Sequence, residues 1–341
     1  MKQIDFLVCV RCFTFNHAPY IKDAMDGFCM QKTSFPFVCV IVDDASTDGE
    51  PNVIRTYMGQ HFNIDDKNVV RNVETDDYVM TFAQHKVNEN CFFAVYYLKY
   101  NHYSIKKDKF PYFAEYHDNA KYIALCEGDD YWVNPNKLQI QVNYLNTNSD
   151  CGLVYGYVRI YNQDNKRMGK IWGGPTEKFD DLIIESTIPT LTVLIRTSLY
   201  LDYIKNIKPE NKCWLMGDYP IWLYVSQNSS IKFLSVLMGT YRLLSESASH
   251  SKSFENSERF VRNLFDMKRF FISLYGYQIN INDYLYMSLA RTAFFHKKRI
   301  NTSDYISRMQ KKNMKYKIML FLTSTRLLFN LTFQTYKIIK K

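Results

Sequence analysis

Phe37-Val38-Cys39-Val40-Ile41-Val42-Asp43-Asp44-Ala45-Ser46-Thr47-Asp48-Gly49 runs from six apolar residues into three carboxylates and two hydroxyls. The β-branched run reads as a buried strand, and the polar cluster falls where that strand ends. Asp44, Ser46, Asp48 and Gly49 match the opening spacing of an EF-hand calcium loop. The twelfth position, where a bidentate glutamate belongs, is Arg55, and a strand precedes the cluster, so that reading fails. Helix capping by Ser46, Thr47 or Asp48 explains one of these residues and leaves Asp43 and Asp44 unexplained.

Outward from this stretch, the first 160 residues alternate short apolar runs with longer amphipathic ones, the pattern of β-α units building a mostly parallel sheet. Strands are expected at Phe6–Phe13, Phe37–Val42, Asn68–Arg71, Tyr122–Cys126 and Gly152–Ile160. Helices are expected at Ala18–Met30, Pro51–Gln60 and Lys137–Leu145, with Pro51 and Pro135 near helix starts, where a missing N–H is harmless. Ligands of such sheets bind beyond the carboxyl ends of the strands. The polar clusters Thr14–His17, Asp43–Asp48 and Glu127–Asp130 all fall there. Residues 162–185 are turn-rich and aperiodic and read as a long loop over the site. From Phe254 onward the pattern is helical.

Tyr122-Ile123-Ala124-Leu125-Cys126-Glu127-Gly128-Asp129-Asp130-Tyr131-Trp132 is the second informative stretch. Three carboxylates within four residues at the end of a buried strand repel one another unless a cation neutralises them, and no basic residue lies nearby in sequence. Mg²⁺ or Mn²⁺ takes one or two carboxylates plus phosphate oxygens, so a metal–diphosphate complex would relieve the repulsion. Gly128 allows close backbone approach. An acidic surface turn is the plainer alternative, and the flanking buried strand and aromatics weigh against it.

Charge and cysteine usage narrow the class. Lys and Arg number 43 against 34 Asp and Glu, and nine of the basic residues lie between Tyr305 and Lys341, where no acidic residue occurs. The remainder is balanced, so the basic tail interleaved with aliphatics carries the whole excess and resembles no nucleic-acid module. The eight cysteines mostly sit in apolar runs and read as buried thiols. Cys9 and Cys12 are three apart in a strand, face opposite sides and chelate poorly, which argues against zinc. The apolar run Phe6–Val10, bracketed by Asp5 and Arg11, is too short for a signal peptide. A cytoplasmic protein is expected.

Thr14-Phe15-Asn16, Val42–Asp48 and Glu127-Gly128-Asp129-Asp130, in this order and spacing, resemble glycosyltransferase family 2, with Ala45 in place of a glycine and Glu127 in place of the leading aspartate. The resemblance covers the N-terminal two thirds. It implies a GT-A fold: an α/β, Rossmann-like, mostly parallel sheet flanked by helices, spanning about residues 1–250, with a nucleotide-binding half to about 130, an acceptor half after it, and a helical extension over 251–341. It implies an inverting transferase moving sugar from a nucleoside-diphosphate sugar to a glycan or lipid-linked acceptor, in bacterial surface-polysaccharide assembly. Asp44 would bond the base, and Thr14, Asn16, Asp43 and Ser46 would seat the nucleotide. Glu127 and Asp129 would hold the metal, with Asp130 nearby.

Farther on, Trp214-Leu215-Met216-Gly217-Asp218-Tyr219-Pro220-Ile221-Trp222 resembles the family segment whose aspartate is the general base. Asp218 matches the base, and Gly217 replaces a glutamate. Asp218 as a helix cap is the competing assignment. Tyr241-Arg242-Leu243-Leu244-Ser245-Glu246-Ser247-Ala248-Ser249-His250 resembles the segment that closes over the diphosphate. Leu244 stands where a histidine is expected, Arg242 offers a fork to phosphate, and His250 is a substitute metal ligand or part of a solvated loop. The departures at Glu127, Gly217 and Leu244 keep a non-catalytic nucleotide-sugar or glycan-binding protein in play. A metal-dependent nucleotidyltransferase would use similar carboxylates.

Ile318–Tyr336 carries Arg326 at its middle and is a poor membrane span. On one helical wheel, Arg326, Lys337, Asn330, Thr323 and Gln334 form a narrow polar arc. With flanking lysines, this suits a helix lying peripherally on an anionic membrane surface at the inner face of the plasma membrane. Packing on its own domain or on a second subunit is the alternative.

Overall fold

The computed structural model describes residues 4–66, 70–244, 251–312 and 314–339. The strands are β1 (Val8–Thr14), β2 (Phe37–Asp43), β3 (Arg71–Glu74), β4 (Tyr78–Gln84), β5 (Cys91–Leu98), β6 (Tyr122–Leu125), β7 (Tyr131–Trp132), β8 (Cys151–Asn162), β9 (Arg167–Trp172), β10 (Leu194–Arg196) and β11 (Ser230–Leu243). The helices are α1 (Ile21–Cys29), α2 (Glu50–His61), α3 (Pro111–His117), α4 (Lys137–Thr147), α5 (Phe179–Ile184), α6 (Thr197–Ile207), α7 (Tyr219–Asn228), α8 (Phe254–Leu274), α9 (Asn282–Phe295), α10 (Arg299–Ser307), α11 (Met314–Leu322) and α12 (Arg326–Ile339). They form two compact units, one of Met1–Asn211 with Ile221–Leu243, the other of Lys212–Pro220 with Leu244–Lys341.

The first unit is a mixed α/β layer structure. Its sheet order is β3-β4-β5-β2-β1-β6-β10-β8-β11-β7, with β9 beside β8. The central strands β5, β2, β1 and β6 are mutually parallel, and antiparallel pairs flank them. β2 and β5 are buried along their whole length, as strands covered on both faces must be. Alternation decides which side each residue serves. Val8, Val10, Phe37, Cys39, Ile41, Cys91 and Phe93 pack with Ile21, Met25 and Phe28 of α1 and Ile54 of α2. Cys9, Val38, Val40, Val42, Phe92 and Ala94 pack with Tyr112, Phe113 and Tyr116 of α3 on the opposite face. Cys9 and Cys12 therefore enter different cores, and burial pushes the Cys9 thiol up to about 12.

Three expectations are corrected. Residues 162–185 are not an aperiodic loop, because β9 pairs antiparallel with β8 and α5 follows. β9 is almost wholly exposed, so it carries no apolar alternation for a sequence reading to find. The third strand is Arg71–Glu74, shifted from the expected Asn68–Arg71, whose residues 68 and 69 lie outside the described residues. The single helix expected over Ile318–Tyr336 is two, α11 and α12, separated at residues 323–325. Thr323, assigned to a polar arc, is 1% exposed and bonds the Leu320 carbonyl. No helix of the described residues is long and apolar enough to cross a membrane.

In the second unit, the Ser253 hydroxyl accepts the Asn256 N–H at the start of α8, and Trp214 packs on Phe270 and Phe271. Phe294, Phe329 and Phe333 form a smaller cluster that Met319 joins.

Lys137, in the first turn of α4, is fully buried, with Nζ 4.1 Å from the centre of the Trp132 ring and 2.8 Å from Gln141 Oε1. Burial lowers its pKa from 10.5 to about 7. Between those values the unfolded chain holds a proton that the folded chain lacks, so stability rises with pH across this window. Lys137→Met removes the cost of discharging the buried amine and orphans one Gln141 oxygen. The expected outcome is a gain of about 1–3 kcal/mol near pH 7 that closes toward about pH 10, read from urea unfolding at both conditions.

Candidate active site at the carboxyl edge of the sheet

The three polar clusters meet at one edge of the first unit. β1 and β2 pair so that Thr14 lies opposite Asp43, and the Asp44 N–H donates to the Thr14 carbonyl at 3.0 Å. On the other side of β1, the Cys126 N–H bonds the Arg11 carbonyl at 3.1 Å, and the Gly128 N–H bonds the Phe13 carbonyl at 3.0 Å. A Cβ on Gly128 would lie 2.2 Å from Thr14 Oγ1 and 2.7 Å from Thr14 Cβ. Only glycine permits this approach of the acidic turn to β1.

Glu50, at the start of α2, organises the space between the first two clusters. It is fully buried, and its carboxylate accepts the Thr14 hydroxyl, the His17 N–H at 2.8 Å and the Ser46 hydroxyl at 2.8 Å. Ser46 Oγ accepts the Asn16 N–H, and Asn16 Oδ1 accepts the Thr47 N–H, each at 2.8 Å. Asp48 closes the interlock by accepting the Ala18 N–H at 2.9 Å and the Glu50 N–H at 3.1 Å. None of the three candidate caps holds the N-cap position of α2, which is Gly49 at φ 93° with no side-chain cap bond; Asp48 precedes it and bonds the Glu50 N–H. Asn16 and Ala45 are held at φ 57° and 60°, a left-handed conformation that disfavours a side chain. Glu50 carries no sequence mark beyond its place in a first helical turn, where acidic residues are common.

Asp43 and Asp44 differ sharply. Asp43 Oδ1 accepts the Ser46 N–H at 3.1 Å, while its buried Oδ2 has no hydrogen-bond partner. Burial pushes this carboxyl up to about 6, and the neighbouring Glu50 carboxylate adds to the effect. Asp44, 2% exposed, accepts the His102 N–H at 2.7 Å, the Tyr103 N–H at 3.1 Å and the Lys109 ammonium at 2.7 Å. Sequence reasoning missed this 101–109 segment, since its link to Asp44 is made only by the β5–β2 pairing. In the order β5-β2-β1, Asp44 follows the middle strand. The segment after β5 offers Tyr103, 78% exposed, and the segment after β1 offers Phe15, 43% exposed.

The acidic turn holds two kinds of carboxylate. Glu127 and Asp129 are half-buried. Asp130 is buried and accepts the Arg242 N–H at 2.7 Å, and burial together with the Asp129 charge drives its pKa well above the ordinary range. The Arg242 side chain is 5% exposed and is used within the protein. It donates to the Asp129 carbonyl, to Gln163 and to Asp23 at 2.8, 2.8 and 2.6 Å, and its guanidinium lies 4.7 Å from the centre of the Tyr20 ring. Arg242, expected to fork toward phosphate, is thus a clamp that ties β11 to the acidic turn and α1.

Among the described residues no group of three or more His, Cys, Asp or Glu is assembled to hold a metal ion. The half-buried Glu127 and Asp129 give an all-oxygen donor set. Such a set suits a hard divalent cation that takes one or two carboxylates and completes its shell with water and phosphate. Asp218 belongs to the second unit, directly before α7, and accepts the Tyr219 N–H at 2.8 Å. His250 lies outside the described residues.

Two substitutions test the backbone geometry. Gly128→Ala should cost about 1–3 kcal/mol through the clash with Thr14, read as a lower midpoint in urea. Ala45→Gly, which relieves the left-handed strain against a more flexible unfolded chain, should be stabilising by about 0.5 kcal/mol in the same experiment.

No family model matches the chain. An uncharacterised protein of Mycobacterium tuberculosis is 28% identical over 201 residues, covering 58% of this chain and 49% of that protein. The chain thus spans about half the length of the mycobacterial relatives it matches. An uncharacterised glycosyltransferase of Rickettsia bellii is 25% identical over 257 residues, covering 74% of this chain and 32% of that protein. Among solved structures, residues 1–349 of S. aureus TarS in complex with UDP-GlcNAc superpose with a TM-score of 0.50 at 14% identity, over 92% of this chain and 83% of that one. The likeness to TarS is one of fold: a mixed α/β sheet with parallel central strands flanked by helices, and a C-terminal helical region.

Proposed function

We propose that the chain is a nucleotide-sugar-dependent glycosyltransferase of inverting type and family 2 kind. The observation that carries this reading is the convergence of Thr14, Asp43, Asp44 and the Glu127–Asp130 turn on one sheet edge, interlocked through Glu50 and Gly128. Topological edges of this kind are where open α/β sheets take nucleotides. Asp44 and the Tyr103 and Phe15 rings would receive the base, and Thr14, Asn16, Asp43 and Ser46 would shape the floor under the nucleotide. Glu127 and Asp129 would hold Mg²⁺ or Mn²⁺ against the diphosphate, where a divalent cation stabilises charge on the departing group. Asp130 and Arg242 act as positioning residues that set the acidic turn.

The reaction is a single displacement. An acceptor hydroxyl attacks the anomeric carbon, its proton passes to Asp218, the carbon–oxygen bond to the nucleoside diphosphate breaks, and configuration inverts. A glycan or lipid-linked acceptor in surface-polysaccharide assembly is the proposed setting. A second reading, binding without turnover, draws on the departures from the family pattern at Glu127, Gly217 and Leu244.

The test is nucleoside-diphosphate release from a panel of UDP-, GDP- and dTDP-sugars with Mn²⁺ or Mg²⁺. Release that is lost on chelation and falls at least about 100-fold in Asp129→Ala and in Asp218→Ala is the expected result. Donor binding by calorimetry without release by any donor and acceptor pair would favour the binding protein. Pyrophosphate release would instead identify a nucleotidyltransferase.

A further inference from the structure

α11 is amphipathic in an inverted sense. Tyr316, Met319 and, just past its end, Thr323 turn inward: Tyr316 and Thr323 are each 1% exposed, and Met319 packs on the Phe294, Phe329 and Phe333 cluster. Met314, Ile318 and Phe321, spaced by four and three residues, lie on the opposite face and are 69%, 51% and 67% exposed. That spacing places three large apolar side chains on one stripe in water. On the following helix Leu327 and Leu331 are likewise 71% and 54% exposed. Scattered apolar residues at a surface are ordinary, whereas a stripe of this kind marks a contact surface.

The charge around the stripe selects the partner. Lys311, Lys317 and Arg326 are exposed, and the stretch from Tyr305 to Lys341 contains nine Lys or Arg and no Asp or Glu. Arg308 is paired with Asp304 and Asp283 accepts the Lys311 N–H, and a second copy of the chain would still bring exposed Lys311, Lys317 and Arg326 against their own kind, so self-association through this face is opposed. A surface that is negative at its headgroups and apolar just beneath matches both features. With nine residues, α11 is about 14 Å long, less than half of a ~30 Å hydrocarbon core, so it can lie in the interface but cannot span it.

We propose that the Met314, Ile318 and Phe321 face of α11, with its flanking basic residues, docks the chain onto an anionic lipid bilayer. The apolar side chains enter the boundary between headgroups and acyl chains while Lys311 and Lys317 meet the lipid phosphates. The proposal is independent of the sugar-transfer reading, and its test contains no donor.

Purified full chain is floated with vesicles of phosphatidylcholine alone and of phosphatidylcholine with phosphatidylglycerol in equal parts. Co-flotation only with the anionic vesicles is expected, weakened by salt. The paired variants Ile318→Ser with Phe321→Ser, and Lys311→Glu with Lys317→Glu, are each expected to lower partitioning by more than about tenfold. Both change exposed positions, and an unchanged melting transition confirms that the fold is kept. Absence of flotation with anionic vesicles overturns the proposal, as does binding that the serine pair leaves intact. A dimer in solution that the serine pair dissociates, without vesicle binding, assigns the face to a second copy instead.

Discussion

Glu50 sits at the start of α2 with no solvent exposure, and its two oxygens gather the Thr14 hydroxyl, the His17 amide and the Ser46 hydroxyl. A buried carboxylate with too few donors is strongly unfavourable, so these partners are not optional decoration. The loop after β1 and the loop after β2 must stay in contact for the charge to be tolerated. Their contact fixes Thr14, and Thr14 is the atom group against which Gly128 rests. The positions of all three polar clusters therefore depend on one glutamate that belongs to none of the clusters.

The acidic turn shows how neighbouring carboxylates are driven to different states. Asp129 keeps partial contact with solvent, while Asp130 is enclosed and receives the Arg242 amide. Burial and the adjacent negative charge raise the Asp130 carboxyl well above the ordinary carboxylate range.

The parallel centre of the sheet was legible because β1, β2 and β6 are short apolar runs that each end in polar residues. The polar edge followed from where those runs stop. The strand at Cys91–Leu98 was not read, since eight successive buried residues have no period of two to distinguish them from a buried helix. β9 was lost for the opposite reason, being exposed along nearly its full length. Asp43, Asp44 and the Glu127–Asp130 turn carried a local signal that sequence alone could reveal. Glu50, Lys109 and the clamp role of Arg242 did not, because each acts through at least one partner 33 or more positions away. The C-terminal helices were misjudged as one wheel because Thr323, polar on paper, satisfies its hydroxyl on the Leu320 carbonyl and turns inward.

The ion pair between Lys109 and Asp44 has 19% and 3% of its side chains exposed, so added salt screens it weakly. Under the proposed reading, this lysine is a tethered occupant of the donor's own seat, present at an effective concentration that no dilution lowers. A nucleotide entering there exchanges one partner of Asp44 for another instead of filling an unclaimed acceptor. Discrimination then rests on the difference between two bonded states, which penalises any ligand whose donor group reaches Asp44 less squarely than the ammonium does.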